Sequence, residues 1–225
     1  MPACRCSGHL VLIAFVRHAS TDWNVDGRMQ GRRDIALSAA GRMEALRWRA
    51  TFANDEPIDW LSSPLARAVE TATLVSGRAP RIEPALIEMD WADWEGQRLD
   101  ELSARHGDAF AANERRGLDF RPPGGESPRD VIARIRRWLA TLDARSPIVA
   151  ITHNGVLRAL LAIATGWDMT GKPPVKLSPA TLHRFALSND GTLAAREWNV
   201  PLERPLSAAR SAPQPRPPAP SKALP

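Results

Sequence analysis

Two histidines in this 225-residue chain stand at the ends of apolar segments that are typical of buried β-strands. His18 follows the apolar run 10–16 and Arg17, and His153 follows the segment 147–152. One such histidine is usually no more than a polar cap at a strand end. The carboxyl ends of parallel strands, however, meet at one edge of a sheet, where ligands bind. We therefore expect both imidazoles to lie at that edge.

Two arginines and one glutamate are expected at the same edge. Arg17 ends the first strand, and Arg67 falls in the first turn of the helix that follows the strand 58–61. Glu88 comes after a third short segment, 81–83. Each of these side chains alone is commonly a solvated surface charge. Their placement at successive strand ends, together with the histidines, predicts an active site.

This set of side chains is suited to phosphoryl transfer. Paired arginines hold a phosphoryl group through forked contacts and keep their charge. One neutral imidazole can attack phosphorus while the other donates a hydrogen bond to the phosphoryl oxygens, and helix N-termini expected after His18 and His153 add N–H donors. Glu88 can protonate the departing alkoxide and then accept a proton from water. The residues predict cleavage of a phosphate ester through a phosphohistidine, with no metal and no other cofactor.

The elements that must position these residues alternate between strands and helices. Two late strands, 182–187 and 193–198, flank a hairpin turn signal at 188–191. The alternation predicts an α/β fold. The predicted architecture is a three-layer αβα sandwich with a mostly parallel sheet of about six strands. One strand is expected to be antiparallel, and we place it at the edge of the sheet.

Six helices are predicted from apolar spacing and from start and stop signals. They cover residues 39–53, 65–75, 99–106, 108–116, 128–142 and 155–164. The first, capped by Ser38, is expected to turn Met43 and Leu46 toward the core. Residues 1–200 are predicted to form the catalytic domain, with 96–128 as an excursion over the active site. Residues 201–225 hold eight of the twenty prolines and are predicted to be a disordered tail.

Composition limits the partners and the compartment. The longest apolar run has seven residues, too few to span a membrane. The net charge of +5 invites nucleic-acid binding, but +3 of it lies in the tail, so we predict no nucleic-acid partner and no membrane partner. Cys4 and Cys6 form neither a disulfide framework nor a zinc site. The cytoplasm is the expected location.

Five blocks of the chain resemble, in order, the histidine phosphatase superfamily, whose members are phosphoglycerate mutase-like. The first is VRHASTDWN at 16–24 with GRMQG at 27–31, Asp34 and LSAAGR at 37–42, and the second is SSPLARA at 62–68 with ETA at 70–72. The others are LIEMDWADWEG at 86–96, PGGES at 123–127 and ITHNG at 151–155. The resemblance implies that His18 is the nucleophile and Glu88 the proton donor and acceptor. It implies a phosphate pocket formed by Arg17, Arg67 and His153. Asn24 and Gln30 match positions that line this site. Thr21, near Asn24, and Asn154 and Gly155, directly after His153, are further candidate substrate-binding residues.

Two positions depart from the family pattern, because Ala19 and Ala92 stand where glycine is usual. Glycine at the first position allows the backbone to approach phosphate closely, so Ala19 bears on the fine geometry of the pocket. Neither departure removes a reacting group.

The blocks favour a phosphatase that acts on a small phosphorylated metabolite. The acid-bearing block resembles the phosphatase branch, and the excursion of about thirty residues is modest for a lid. A 2,3-bisphosphoglycerate-dependent phosphoglycerate mutase is the first alternative. The others are a non-catalytic phosphoryl-binding protein and a metal-dependent phosphatase with His18, His153 and Asp22 as ligands. The natural substrate and the oligomeric state do not follow from the sequence.

Overall fold

A six-stranded sheet forms the centre of the protein in the computed structural model, which describes residues 10–52, 57–144 and 146–202. The strand order is β3-β2-β4-β1-β5-β6. The strands are β1 (Val11–Arg17), β2 (Asp59–Ser62), β3 (Arg81–Ile82), β4 (Ile148–Thr152), β5 (Thr181–Leu187) and β6 (Leu193–Pro201). Cys4, Cys6 and the tail from residue 203 onward, for which predictions were made above, lie outside the described residues.

Helices cover both faces of the sheet and complete the three layers. They are α1 (Asp22–Val25), α2 (Ala39–Trp48), α3 (Ala66–Ser76), α4 (Leu99–Glu114), α5 (Pro128–Thr141) and α6 (Asn154–Thr165). On one face α5 and α6 pack with Ile13 and Phe15 of β1, and on the other α2 and α3 pack with Val16. None of the helices in the described ranges combines the length and the apolar character needed to cross a membrane.

The sheet confirms the predicted fold class and corrects the position of its antiparallel strand. β1 is parallel to β4, β4 to β2 and β2 to β3, whereas β5 is antiparallel to both β1 and β6. The antiparallel strand is therefore next to the edge, and β6 forms the edge itself. The hairpin explains this, because β5 pairs with β1 along 11–16 and the chain then turns back to add β6 outside it.

The prediction for the helix 39–53 is wrong in its length and in its buried face. Helix α2 ends at Trp48 and continues as a 3-10 turn, Arg49–Phe52. Met43 and Leu46 are 56% and 42% exposed, and the buried residues of α2 are instead Gly41, Ala45 and Trp48. Close contact explains the choice of face, since a Cβ at Gly41 would overlap the backbone oxygen of Ser20. Glycine lets this side of α2 approach the loop that follows β1.

The excursion 96–128 folds back onto the loop that precedes α2. The Gly96 amide donates to the Met29 carbonyl at 2.7 Å, and the Met29 amide donates to the Gln97 carbonyl at 2.9 Å. Trp94, Phe110 and Phe120 form its small aromatic core. Non-helical dihedral angles at Gly107 (φ 47°, ψ −121°) divide α4 into two halves, in agreement with the predicted helices 99–106 and 108–116.

Candidate active site

The two histidines follow neighbouring parallel strands, and the register of those strands brings them together. Arg17 is level with Thr152, and the amide of His18 donates to the carbonyl of Thr152 at 2.9 Å. As a result the ring centroids of His18 and His153 lie 5.1 Å apart at an angle of 54°. The expectation that both imidazoles lie at one edge is confirmed.

The hydrogen bonding of His18 fixes which of its nitrogens is free. Its Nδ1 lies 2.8 Å from the carbonyl oxygen of Ala19. A carbonyl oxygen only accepts, so Nδ1 carries the proton and the lone pair is on Nε2. Burial lowers the pKa of His18 well below its usual value, and the charges of Arg17 and Arg67 lower it further. The side chain is therefore held neutral with an unprotonated Nε2, the form that can attack phosphorus.

His153 presents the opposite arrangement. Its Nε2 lies 2.7 Å from Oγ of Ser63, and its buried Nδ1 has no hydrogen-bond partner among the described residues. Ser63 Oγ accepts a weak bond from the Leu65 amide at 3.4 Å, so its own proton is available for Nε2 of His153. The ring proton then resides on Nδ1, where a phosphoryl oxygen could accept it. Burial lowers the pKa of His153 most, and its neighbours His18, Arg67 and Arg17 lower it further.

Arg67 is fully buried in the first turn of α3 and is held by backbone carbonyls. Its two terminal nitrogens donate to the carbonyls of Arg33 and Gly31, both at 2.8 Å. Its Nε is buried without a partner among the described residues, as is Nε of Arg17. The loop thus uses one hydrogen on each terminal nitrogen of Arg67. Nε and the second hydrogens remain available for a bound anion.

The Glu88 carboxyl is buried and is held by backbone amides. Its Oε1 accepts from the Met89 amide at 2.8 Å and from the Gly155 amide at 3.0 Å. Burial raises the pKa of Glu88, and these two bonds and the charges of Arg67 and Arg17 oppose the rise. A buried carboxyl with a raised pKa, placed at this edge of the sheet, is suited to give and to accept a proton.

Thr71 connects the loop after β1 with α3. Its Oγ1 accepts from the Ala19 amide at 3.1 Å and donates to the Arg67 carbonyl at 2.7 Å. Thr71 lies in the segment 70–72 of the second block, but no role was predicted for it, because local sequence does not indicate a hydrogen-bond partner 52 positions away. This bond holds the backbone of Ala19, the residue whose carbonyl fixes the proton of His18.

The two departures from the family pattern differ in their structural consequence. Ala19 is almost fully buried, and its φ is not in the left-handed region that favours glycine. Ala92 has φ +41°, which is in that region and costs an alanine about 1 kcal/mol. The strain therefore lies at Ala92, in the 3-10 turn Ala92–Trp94 beyond the acid segment, and not beside His18.

The other predicted binding residues have different surroundings. Thr21 is fully buried and caps α1, and Asn24 Oδ1 accepts from the amide and the hydroxyl of Thr21, both at 3.0 Å. Gln30 is buried with Oε1 unpartnered among the described residues, whereas Asn154 is exposed at the start of α6. Their binding roles stay predictions. The helix that follows His18 is short, because α1 begins at Asp22 and has four residues.

An ionic cluster that the sequence analysis missed holds the segment before Glu88. Arg134 of α5 donates to the carbonyl of Ala85 and, at 2.6 Å, to the carbonyl of Ile87. Glu126 lies 3.5 Å from Nε of Arg134 and 2.8 Å from a terminal nitrogen of Arg32. Glu126 is part of the PGGES block, which was the available signal. The cluster fixes the backbone that carries the Glu88 carboxyl.

Metal ligation was one of the alternatives, with Asp22 as the third ligand. Within the described ranges no three His, Cys, Asp or Glu side chains are grouped so that they could hold a metal ion. Asp22 is exposed in the first turn of α1.

Comparison with known proteins gives consistent results. The model of the histidine phosphatase superfamily (branch 1) matches residues 13–201. A 2,3-bisphosphoglycerate-dependent phosphoglycerate mutase of Methylobacterium radiotolerans is 33% identical over 88% of this chain and 99% of its own. A glucosyl-3-phosphoglycerate phosphatase of Mycobacterium tuberculosis is 34% identical over 67% of this chain and 73% of its own. The solved structure of a mycobacterial glucosyl-3-phosphoglycerate phosphatase with VO3 has a TM-score of 0.72 and 28% identity, covering 84% of this chain and 99% of that one.

Proposed function

This chain belongs to the histidine phosphatase superfamily, and from that premise we propose that it is a metal-independent phosphomonoesterase acting through a phosphohistidine on a small phosphorylated metabolite. Its similarity to named phosphatases and mutases makes it a phosphoryl-transfer enzyme. The geometry of the two histidines is the main support for hydrolysis through a phosphohistidine. The two buried imidazoles lie 5.1 Å apart, and His18 has its proton fixed on Nδ1.

In the first step, Nε2 of His18 attacks phosphorus and the ester P–O bond breaks. Arg17, Arg67 and Nδ1–H of His153 stabilise the negative charge on the three equatorial oxygens. The leaving alkoxide takes the proton of Glu88, and burial, which raises the pKa of this carboxyl, makes its protonated form more accessible than that of an ordinary glutamate. The product alcohol leaves, and His18 carries the phosphoryl group.

In the second step, water attacks the phosphohistidine. The Glu88 carboxylate accepts a proton from this water as the new P–O bond forms, and His18 departs with its lone pair restored on Nε2. Phosphate is released, and Glu88 is again protonated. The positive charge that this chemistry requires is supplied by arginine and histidine side chains of the chain itself.

A Gly155→Ala variant tests the proton-transfer role through position alone. A Cβ at Gly155 would overlap Oε1 of Glu88 and would lie 3.1 Å from Cβ of Met89. We expect kcat/KM for glycerol 3-phosphate to fall roughly 10- to 100-fold, less than the roughly 10²- to 10⁴-fold cost of losing a general acid, because the carboxyl is displaced and not removed. The melting temperature should stay close to that of the parent, because alanine is favoured in a helix by up to about 1 kcal/mol. A variant with full activity would show that the carboxyl position is unimportant.

Two separate assays, one with orthovanadate and one with EDTA, distinguish this mechanism from the metal-dependent alternative. Vanadate adopts the trigonal-bipyramidal shape of the transition state and should inhibit hydrolysis of p-nitrophenyl phosphate at micromolar concentration. EDTA should leave the rate unchanged, because no step uses a metal. Loss of activity with EDTA, restored by a divalent cation, would contradict the proposal. A chain that binds vanadate and releases no p-nitrophenol would be the non-catalytic phosphoryl-binding protein.

The mutase is the second candidate, because a phosphoglycerate mutase relative matches 88% of this chain. A mutase must keep water away from the phosphohistidine until the group is returned to substrate. The excursion 96–128, with its aromatic core, is the segment that would cover the site. Incubation of 3-phosphoglycerate with a trace of 2,3-bisphosphoglycerate separates the two activities. We expect release of inorganic phosphate, and faster formation of 2-phosphoglycerate would assign the mutase.

A further inference from the structure

One partly buried arginine near the active site has no anionic partner among the residues that the structure describes. Arg158 lies on α6, four residues after Asn154 and five after His153. Its Cζ lies 4.9 Å from the ring centroid of Trp167. Within the described residues, its guanidinium has neither an ion pair nor a hydrogen bond.

The other arginines withdrawn from water near the site differ in this respect. Arg134 is close to Glu126, and the charges of Glu88 and Glu44 act on Arg17. Burial lowers the pKa of Arg158, and no acidic side chain opposes the change. A cation taken out of water without a counter-ion is costly. An external anion would remove that cost.

Arg158 lines a cavity whose wall includes Asn154, the residue that follows His153. The cavity has a volume of about 160 Å³, and its polar residues are Asn154, Arg158 and Lys176. Leu161, Val175 and Leu177 contribute an apolar wall. Along the chain, the lining of the cavity therefore begins one residue after His153 of the predicted phosphate pocket.

We propose that this cavity is a subsite for a second anionic group, a carboxylate or a phosphate, on the ester cleaved at His18, and that Arg158 binds this group. The proposal rests on the proposed function and names its substrate class, phosphate esters with a second negative group. The forked guanidinium matches the oxygens of either group, and the apolar wall suits the carbon chain between the two groups.

A preference for esters with a second anionic group can be measured with matched pairs of substrates. 3-Phosphoglycerate and glycerol 3-phosphate differ by one carboxylate, and glucose 1,6-bisphosphate and glucose 6-phosphate differ by one phosphate. We expect the parent to prefer the doubly anionic member of at least one pair in kcat/KM. Arg158→Met should lower that preference roughly 10- to 100-fold, as expected for loss of a charged hydrogen bond. Arg158→Lys should retain part of it, and Arg136→Met, on the exposed face of α5, should retain it fully.

The preference is the ratio of kcat/KM for the two members of a pair, measured on the same variant. A general loss of folded protein lowers both values equally and leaves this ratio unchanged. Unchanged ratios in both pairs with Arg158→Met would overturn the proposal. If the parent shows no preference within either pair and millimolar malonate still alters turnover of glycerol 3-phosphate only when Arg158 is present, the anion is a separate effector and the substrate subsite is overturned.

Ligand binding can be measured without catalysis, so it tests the subsite independently of the proposed phosphatase activity. In the His18→Ala variant, calorimetric titration should give tighter binding for the doubly anionic member of the preferred pair, and adding Arg158→Met should remove the difference. A parent chain that hydrolyses none of these esters would overturn the proposed function. The Arg158-dependent difference in affinity would, in that case, still establish the subsite. Equal affinities before and after the Arg158 change would overturn it.

Discussion

Replacing His18 with alanine is expected to abolish covalent labelling by a 32P-labelled substrate and to lower kcat by at least about 10⁴-fold, the scale seen when other enzymes lose a nucleophile. The reason is geometric. Nε2 of His18 has the free lone pair, because Nδ1 donates to the Ala19 carbonyl at 2.8 Å. The measurement is protein-bound 32P after rapid quenching. The label on the parent should be stable in base and labile in acid, which identifies a phosphoramidate.

His106→Ala is the matched control, because His106 is exposed on α4 in the excursion. This variant should label and turn over like the parent. Labelling that persists in His18→Ala would assign the nucleophile to another side chain. His153, whose ring is 5.1 Å away, would then be the first to test.

The second large effect is expected for Glu88→Gln, and it should depend on the leaving group. We expect kcat/KM for glycerol 3-phosphate to fall about 10²- to 10⁴-fold, the usual contribution of general acid catalysis. The value for p-nitrophenyl phosphate should fall much less, because nitrophenolate leaves without a proton. Since kcat/KM covers only the steps up to departure of the leaving group, slower hydrolysis of the phosphohistidine does not affect the comparison. Equal losses for both esters would contradict the acid role.

Glutamine is a close replacement here, because its carbonyl oxygen can still accept from the amides of Gly155 and Met89. A change in rate then reports the lost proton and not a collapsed loop. Equal melting temperatures of parent and variant would verify this control.

The pH profile gives an independent view of Glu88. Burial raises its pKa, so the carboxyl keeps its proton to higher pH than an ordinary glutamate. For glycerol 3-phosphate, kcat/KM should therefore fall as pH rises through that raised pKa, and Glu88→Gln should lose this limb. The lowered pKa of His18 keeps its nucleophilic form at acidic pH, so the limb due to His18 should lie below pH 6.5. A falling alkaline limb that persists in Glu88→Gln would assign the titration to another group.

Much of this architecture could be predicted from the sequence, because its signals are local. The apolar runs before His18 and His153 identified two buried strands, and the apolar spacing along α5 with the Ser127 cap identified that helix within one residue. Strand ends then predicted that the imidazoles would meet. Cytoplasmic location, absence of nucleic-acid partners, domain limits and disorder of the tail stay predictions from composition.

Features that depend on contacts between distant segments could not be predicted. The buried face of α2 was misassigned, because Gly41 and not Met43 approaches the loop after β1. The antiparallel strand was misplaced, because hairpin signals do not state which strand pairs with β1. The cluster of Arg134, Glu126 and Arg32 joins three segments that share no local pattern.

The sequence by itself determined the residue types that can carry phosphoryl transfer and the order of strands and helices, since both follow from side-chain chemistry and short-range periodicity. Tertiary structure alone decided the state of each group. It fixed the proton of His18 on Nδ1 through one carbonyl, raised the pKa of Glu88 by burial, and withdrew Arg158 from water with no counter-ion in the described part of the chain. Protonation, desolvation and pairing depend on which atoms surround a group in space, and that is set only when the chain has folded.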